Sequence, residues 1–200
     1  MELRWSSKEI SVSTQTLGST QLLNDIDVEA LRGAMDACRT DTSAAKTKFA
    51  VTTNWLGGTK SRTSVQGCEV GGQWIDRQFD FVSDEPHELC GTNTAANPQE
   101  YLMGALNACM TVGYVAGASL MGINLHSVRI ETDGNIDLRG FFGLTKTVPS
   151  GYNELRYAVH IKGDGTEEQM RKLHELVIAT SPNRYNIANA IPLRATLIVE

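Results

Sequence analysis

The residues of this chain best able to do chemistry are its cysteines, Cys38, Cys68, Cys90 and Cys109. A cysteine acts as nucleophile or metal ligand through its thiolate, so its surroundings decide its use. No C-x-x-C pair occurs, and His87, His126, His160 and His174 fall at no zinc-like spacing from the cysteines. No metal or other cofactor is therefore expected. Cys109 stands apart through its neighbours. It lies in an uncharged run from Tyr101 to Leu125, where counting by four from Ala105 gives Cys109, Gly113 and Gly117. On a helix these form one nearly bare face that lets another backbone come close. The Cys109 thiol is expected to be buried or to lie at a packed interface.

The element that must position it starts at Asn97. Asn97 supplies a side-chain cap, Pro98 suits the first helical position, and Glu100 sits where a capping box wants its acid. The run is long enough to span a bilayer. Asn107, Thr111, Ser119, Asn124, its glycines and the lack of a basic flank favour a buried central helix instead. No membrane partner is expected.

The net charge of -5 and the absence of a Lys/Arg cluster argue against nucleic acid as a partner. The charged start, MELRWSSKEI, lacks the apolar core of an export signal, so a reducing cytoplasm with free thiols is expected. Residues 1–23 are rich in Ser, Thr and Gln and read as a flexible or peripheral arm. Residues 24–46 hold a helix with Val28, Leu31, Met35 and Cys38 on one stripe, which makes Cys38 a packed apolar side chain. A three-stranded antiparallel meander follows: Phe49–Trp55, Thr63–Val70 and Gln73–Val82, turned at Gly57-Gly58 and Gly71-Gly72. The stretch Ser83–Ala96 is a loop long enough to be functional.

Beyond the central helix, His126–Thr132 and Asn153–Lys162 read as strands, and Arg139-Gly140-Phe141-Phe142-Gly143 between them reads as a flap. Thr166 and Gln169 form a second capping box, opening a helix with His174 and Ser181 on its inward stripe. Pro182 stops that helix, and Ala195–Glu200 closes the chain as a strand. The pattern is α+β.

These blocks resemble the OsmC/Ohr family of osmotically inducible and organic hydroperoxide resistance proteins. The resemblance rests on Asn97-Pro98 with Tyr101-Leu102, Ala105-Leu106-x-Ala108-Cys109, Gly134-x-Ile136-Asp137-Leu138-Arg139-Gly140, and Ser181-Pro182 followed by Ile191-Pro192. It covers residues 47–200. It implies an OsmC-like fold, with antiparallel sheets wrapped around two central helices in an intertwined homodimer. It also implies a cysteine peroxidase that reduces organic hydroperoxides with thiol or lipoyl reductants, in an oxidative stress response. The family's reactive cysteine falls on Cys109.

Three departures accompany the resemblance. The family's resolving cysteine is replaced by Ser181, which forms no disulfide. The glutamate ten residues before the reactive cysteine is Gln99. Glu100 does not replace it, because nine residues at about 100° each place it opposite Cys109. The arginine after the glycine pair is missing, with Thr59 and Lys60 there instead and Arg62 the closest arginine available to favour a thiolate. Cys90, and less so Cys68, are candidate replacement resolving thiols. His174 is a candidate base near Cys109, weighed against a hydrogen-bonded core histidine.

Two functions follow as expectations. One is a peroxidase using Cys109 with an external thiol reductant, its pocket lined by Leu106, Met110, Phe141 and Phe142 and favouring apolar hydroperoxides. The other is a non-catalytic family member that binds a small apolar ligand in the dimer pocket.

Overall fold

The structure is a computed structural model that describes residues 22–200. Residues 1–21 of the expected arm lie outside the described residues. Leu22–Leu23 (β1) already pairs with Ile26–Asp27 (β2) in a small hairpin. Asn24 fastens that hairpin: its amide donates to Ser119 Oγ and to the Ile123 carbonyl, each at 2.9 Å, and its side-chain oxygen accepts from Leu125 N at 2.7 Å. The helix that follows, Val28–Thr40 (α1), is capped by Asp27, whose side chain accepts from Ala30 N.

Cys38 corrects an expectation, for it is exposed. The apolar stripe of α1 exists, but beyond its first turns nothing among the described residues covers it, and α1 contains no buried residue.

The meander forms around a long central strand, Lys60–Val70 (β5). One edge pairs with Gln73–Ser83 (β6) and the other with Thr47–Phe49 (β3) and Thr52–Gly57 (β4), in effect one strand interrupted at Ala50 and Val51. Gly71 and Gly72 turn β5 into β6 with both φ positive, at 57° and 78°, as a two-residue hairpin of this twist requires.

The core lies elsewhere, around Pro98–Leu120 (α2). Both halves of the expected capping box form: the Asn97 side chain accepts from Glu100 N at 2.9 Å, and Glu100 accepts from Asn97 N at 2.8 Å. Leu106, Met110, Tyr114 and Ala118 repeat every four residues along the buried face. They meet Leu173 and Val177 of Glu167–Thr180 (α4), with Leu125–Gly134 (β7) and Leu155–Gly163 (β8) packed alongside as an antiparallel pair. Each fully buried aliphatic side chain of this size contributes about 1.5–3 kcal/mol.

The small-residue stripe does what its spacing implied. A Cβ on Gly117 would lie 2.6 Å from Leu173 Cδ1, and one on Gly113 would lie 3.3 Å from Val177. Bare backbone there is what lets α4 press against α2. By length and composition α2 could cross a membrane, yet one face of it is the core of this packed unit.

Two boundaries differ from expectation. Pro182 ends α4 but also opens a further helix, Pro182–Ala188 (α5), because proline suits a first helical turn as well as it breaks an interior. Ala195–Glu200 forms no strand and pairs with none among the described residues, and Leu193, Leu197, Ile198 and Val199 are exposed. Its strand-like composition finds no partner edge among the described residues.

Candidate functional site at the junction of α2, α4 and α5

Cys109 faces α4 and α5 from the middle of α2 and is half-buried. Its sulfur accepts a hydrogen bond from the Ser181 hydroxyl at 3.4 Å. Ser181 is buried and occupies the one-residue junction of two helices, its backbone N–H bonding Val177 at the end of α4 and its side chain capping α5. Neighbours hold this junction from three sides. Asn183 donates to the Ala105 carbonyl at 2.8 Å, one turn before Cys109 on α2. Arg184 donates from Nη1 to the Ile178 carbonyl at 3.0 Å and from Nε to the Tyr157 hydroxyl on β8 at 3.1 Å.

A cavity of about 510 Å³ lies at the other end of α2. Leu89, Ile136, Leu138, Phe141, Phe142 and Tyr152 supply its apolar wall, while Cys90, Gln99, Glu85 and Glu88 bring polar groups. Cys109 is not among its lining residues. Gln99 sits in the first turn of α2, about 15 Å along the axis from Cys109.

The loop Ser83–Ala96 builds one wall of this cavity around a carboxylate. Asp84 is fully buried and accepts from Thr59 Oγ1 at 2.7 Å, from Thr92 N and Oγ1 at 3.1 and 2.7 Å, and from Thr94 N and Oγ1 at 3.1 and 3.0 Å. Burial alone would push the carboxyl up. The donors from Thr59, Thr92, Thr94 and the Glu85 amide outweigh it and hold Asp84 well below the usual carboxylate range. The loop then folds so tightly that a Cβ on Gly91 would lie 1.7 Å from the Glu85 carbonyl oxygen. Cys90 is exposed and takes a left-handed φ of 64°.

The flap is a short helix, Leu138–Phe141 (α3). Arg139 donates to the Asp137 carboxylate, and that guanidinium holds the carboxyl down at about 2. Phe141 and Phe142 stand exposed at the cavity with ring centroids 5.2 Å apart.

Other expected site residues fall away from the thiol. Leu106 and Met110 are absent from the lining of the cavity beside Phe141 and Phe142; both are sealed in the core, on the helix face next to that of Cys109. Arg62 is exposed on β5, its Cα paired with Asn54 and Val82. Tyr101 donates to the Val82 carbonyl at 2.7 Å, so Arg62 approaches α2 two turns before Cys109, and among the described residues no hydrogen bond joins the two. Cys68 is buried in the meander opposite Phe49 and Ile75.

His174 pairs with Tyr114 at 2.5 Å. Burial, with the neighbouring Tyr157, pushes the Tyr114 phenol up to about 12, and this pair makes His174 a hydrogen-bonded core histidine turned to Tyr114. Sequence reasoning missed Asp84 and Arg184. The threonines at 59, 92 and 94 were a signal for a buried acceptor; Arg184, three residues after a capping serine, carried none.

The chain was compared with known proteins. A family model described as OsmC-like protein matches residues 91–196. No curated protein is significantly similar in sequence. Solved structures are similar in fold. One is an OsmC-like protein from Mycoplasma pneumoniae, with 16% identity and a TM-score of 0.53, covering 70% of this chain and 87% of that one. Another is a Psychrobacter arcticus protein named for osmotic stress induction and a detoxification response, with 14% identity and a TM-score of 0.53, covering 68% and 85%. An OsmC-like protein of unknown function from Vibrio cholerae has 14% identity and a TM-score of 0.50, covering 69% and 92%. With its antiparallel sheets, its central helix pair and a family match over more than half its length, this chain belongs to the OsmC-like protein family.

Proposed function

We propose that the chain is a thiol-dependent peroxidase that reduces organic hydroperoxides through Cys109. The observation that carries the reading is the Ser181 hydroxyl 3.4 Å from the Cys109 sulfur, a donor placed where a developing thiolate needs one. The thiolate attacks the distal peroxide oxygen, the O–O bond breaks, and the alkoxide leaves and takes up a proton. Sulfur loses two electrons, the peroxide gains them, and Cys109 becomes a sulfenic acid. Ser181 cannot condense with it. An external thiol does so, releasing water and leaving a mixed disulfide, and a second thiol reduces that to regenerate Cys109. The cytoplasm, rich in such thiols, is the setting this chemistry suits.

The working unit is proposed to be a homodimer. Phe49, Trp55, Trp74 and Phe79 on the meander are more than half exposed, and the C-terminal segment shows its apolar side chains to solvent. Apolar surface on this scale marks an interface, and a second copy offers the strand edge that Ala195–Glu200 lacks. Sedimentation is expected to give twice the mass of the chain, falling to a single chain when residues 190–200 are removed.

The separation of the cavity from Cys109 favours a second reading, a binding protein for a small apolar ligand. Following cumene hydroperoxide loss with a dithiol separates the two. Turnover that Cys109→Ser abolishes supports the peroxidase; equal, negligible loss in both proteins leaves the binding reading.

A further inference from the structure

Arg184 is a half-buried arginine with no acidic partner among the described residues. Every arginine ion pair among the described residues lies on the surface, and none of them involves Arg184. Its guanidinium spends two donors on the chain itself, the Ile178 carbonyl in the last turn of α4 and the Tyr157 hydroxyl on β8. Its backbone N–H lies 3.5 Å from Ser181 Oγ, the oxygen that donates to Cys109. The contacts form one path: β8 and α4 hold Arg184, Arg184 holds the start of α5, and that start aims Ser181.

We propose that Arg184 is a positioning residue for Cys109. With the Arg184 N–H on one lone pair of Ser181 Oγ, the serine proton is left to point at sulfur. The guanidinium clamp keeps the helix junction in the one arrangement that permits this. Its unneutralised charge adds a field that favours negative sulfur. Arg184 thereby takes the part for which Arg62 was the candidate, and among the described residues it, unlike Arg62, is linked to Cys109 by hydrogen bonds through Ser181. The inference rests on Cys109 being the reacting thiol.

The test uses the full chain and two reagents, iodoacetamide and cumene hydroperoxide, with modification mapped to Cys109 by peptide mass and folding followed by circular dichroism and thermal midpoint. Arg184→Met and Ser181→Ala are each expected to slow both reactions roughly tenfold, the scale of one lost hydrogen bond to a charged group. Arg184→Lys, which keeps the charge, should fall between Arg184→Met and wild type. Because Arg184 acts in large part through Ser181, the double variant should be slowed by clearly less than the product of the two single effects. A purely structural role predicts neither the rescue by lysine nor that coupling. Wild-type rates in Arg184→Met, or a double variant slowed by the product of the two single effects, would overturn the proposal. Should Arg184→Met not fold, Arg184→Lys with and without Ser181→Ala carries the same cycle. Iodoacetamide rates that follow the expected order while hydroperoxide leaves Cys109 untouched would remove the peroxidase reading and uphold Arg184.

Discussion

Ser181→Cys is expected to trap a disulfide with Cys109 after an equimolar dose of cumene hydroperoxide, seen as loss of two hydrogens in the intact mass and as a linked peptide under non-reducing digestion. The native hydroxyl oxygen is 3.4 Å from the sulfur, and the longer C–S bond brings an introduced sulfur closer still. A bond of about 2.05 Å then needs only small side-chain rotation. The helix junction is fixed by Asn183 and Arg184, so the two thiols would be held together rather than meeting by chance. A sulfenic acid beside a thiol condenses with it and releases water. The variant should therefore consume peroxide with a dithiol at least several-fold faster than wild type, whose sulfenic acid waits for an external thiol. All five thiols remaining free in the peroxide-treated variant would show that the Cys109–Ser181 contact is not as described.

The second large effect concerns stability. Asp84→Ala leaves the donors of Thr59, Thr92 and Thr94 without their shared acceptor in a buried site, a costlier change than losing the bonds alone. The thermal midpoint is expected to fall by roughly 5–10 °C, with the loop that carries Cys90 the first region to lose hydrogen-exchange protection. The same carboxylate fixes the acid response. Its folded-state pKa is depressed, so its contribution is fully present above the unfolded value near 4 and is lost as pH falls below it. Urea titrations from pH 6 to pH 2 should show the wild-type contribution level above about pH 5 and declining below about pH 4, and Asp84→Asn should start lower and decline less steeply. Equal slopes would mean that another group carries the acid sensitivity.

Much of this arrangement was legible before any coordinates. Caps and glycines are local signals, so the starts of α2 and α4 and the turns at Gly57 and Gly71 fall where their residues put them. The spacing of Gly113 and Gly117 told that a helix would lie against Cys109, and the family pattern brought Ser181 to its side. What failed depended on distance through space. Leu106 and Met110 are apolar residues near a cysteine, but a helix shows several faces, and theirs is turned into the core. Cys38 and Ala195–Glu200 carry patterns that ask for a partner, and a pattern does not say whether the partner is in the same chain. Arg184 carried no signal, and Asp84 only the scattered threonines at 59, 92 and 94, because a buried charged group is identified by donors and acceptors that come from remote stretches of sequence.

The measurement that bears most directly on the account is single-turnover trapping. The reduced chain is mixed with equimolar cumene hydroperoxide in the presence of dimedone, and the adduct is mapped by peptide mass. The account predicts a sulfenic acid adduct on Cys109 that vanishes in Cys109→Ser. An unmodified Cys109 with the adduct on Cys90, or peroxide left unconsumed, would contradict it.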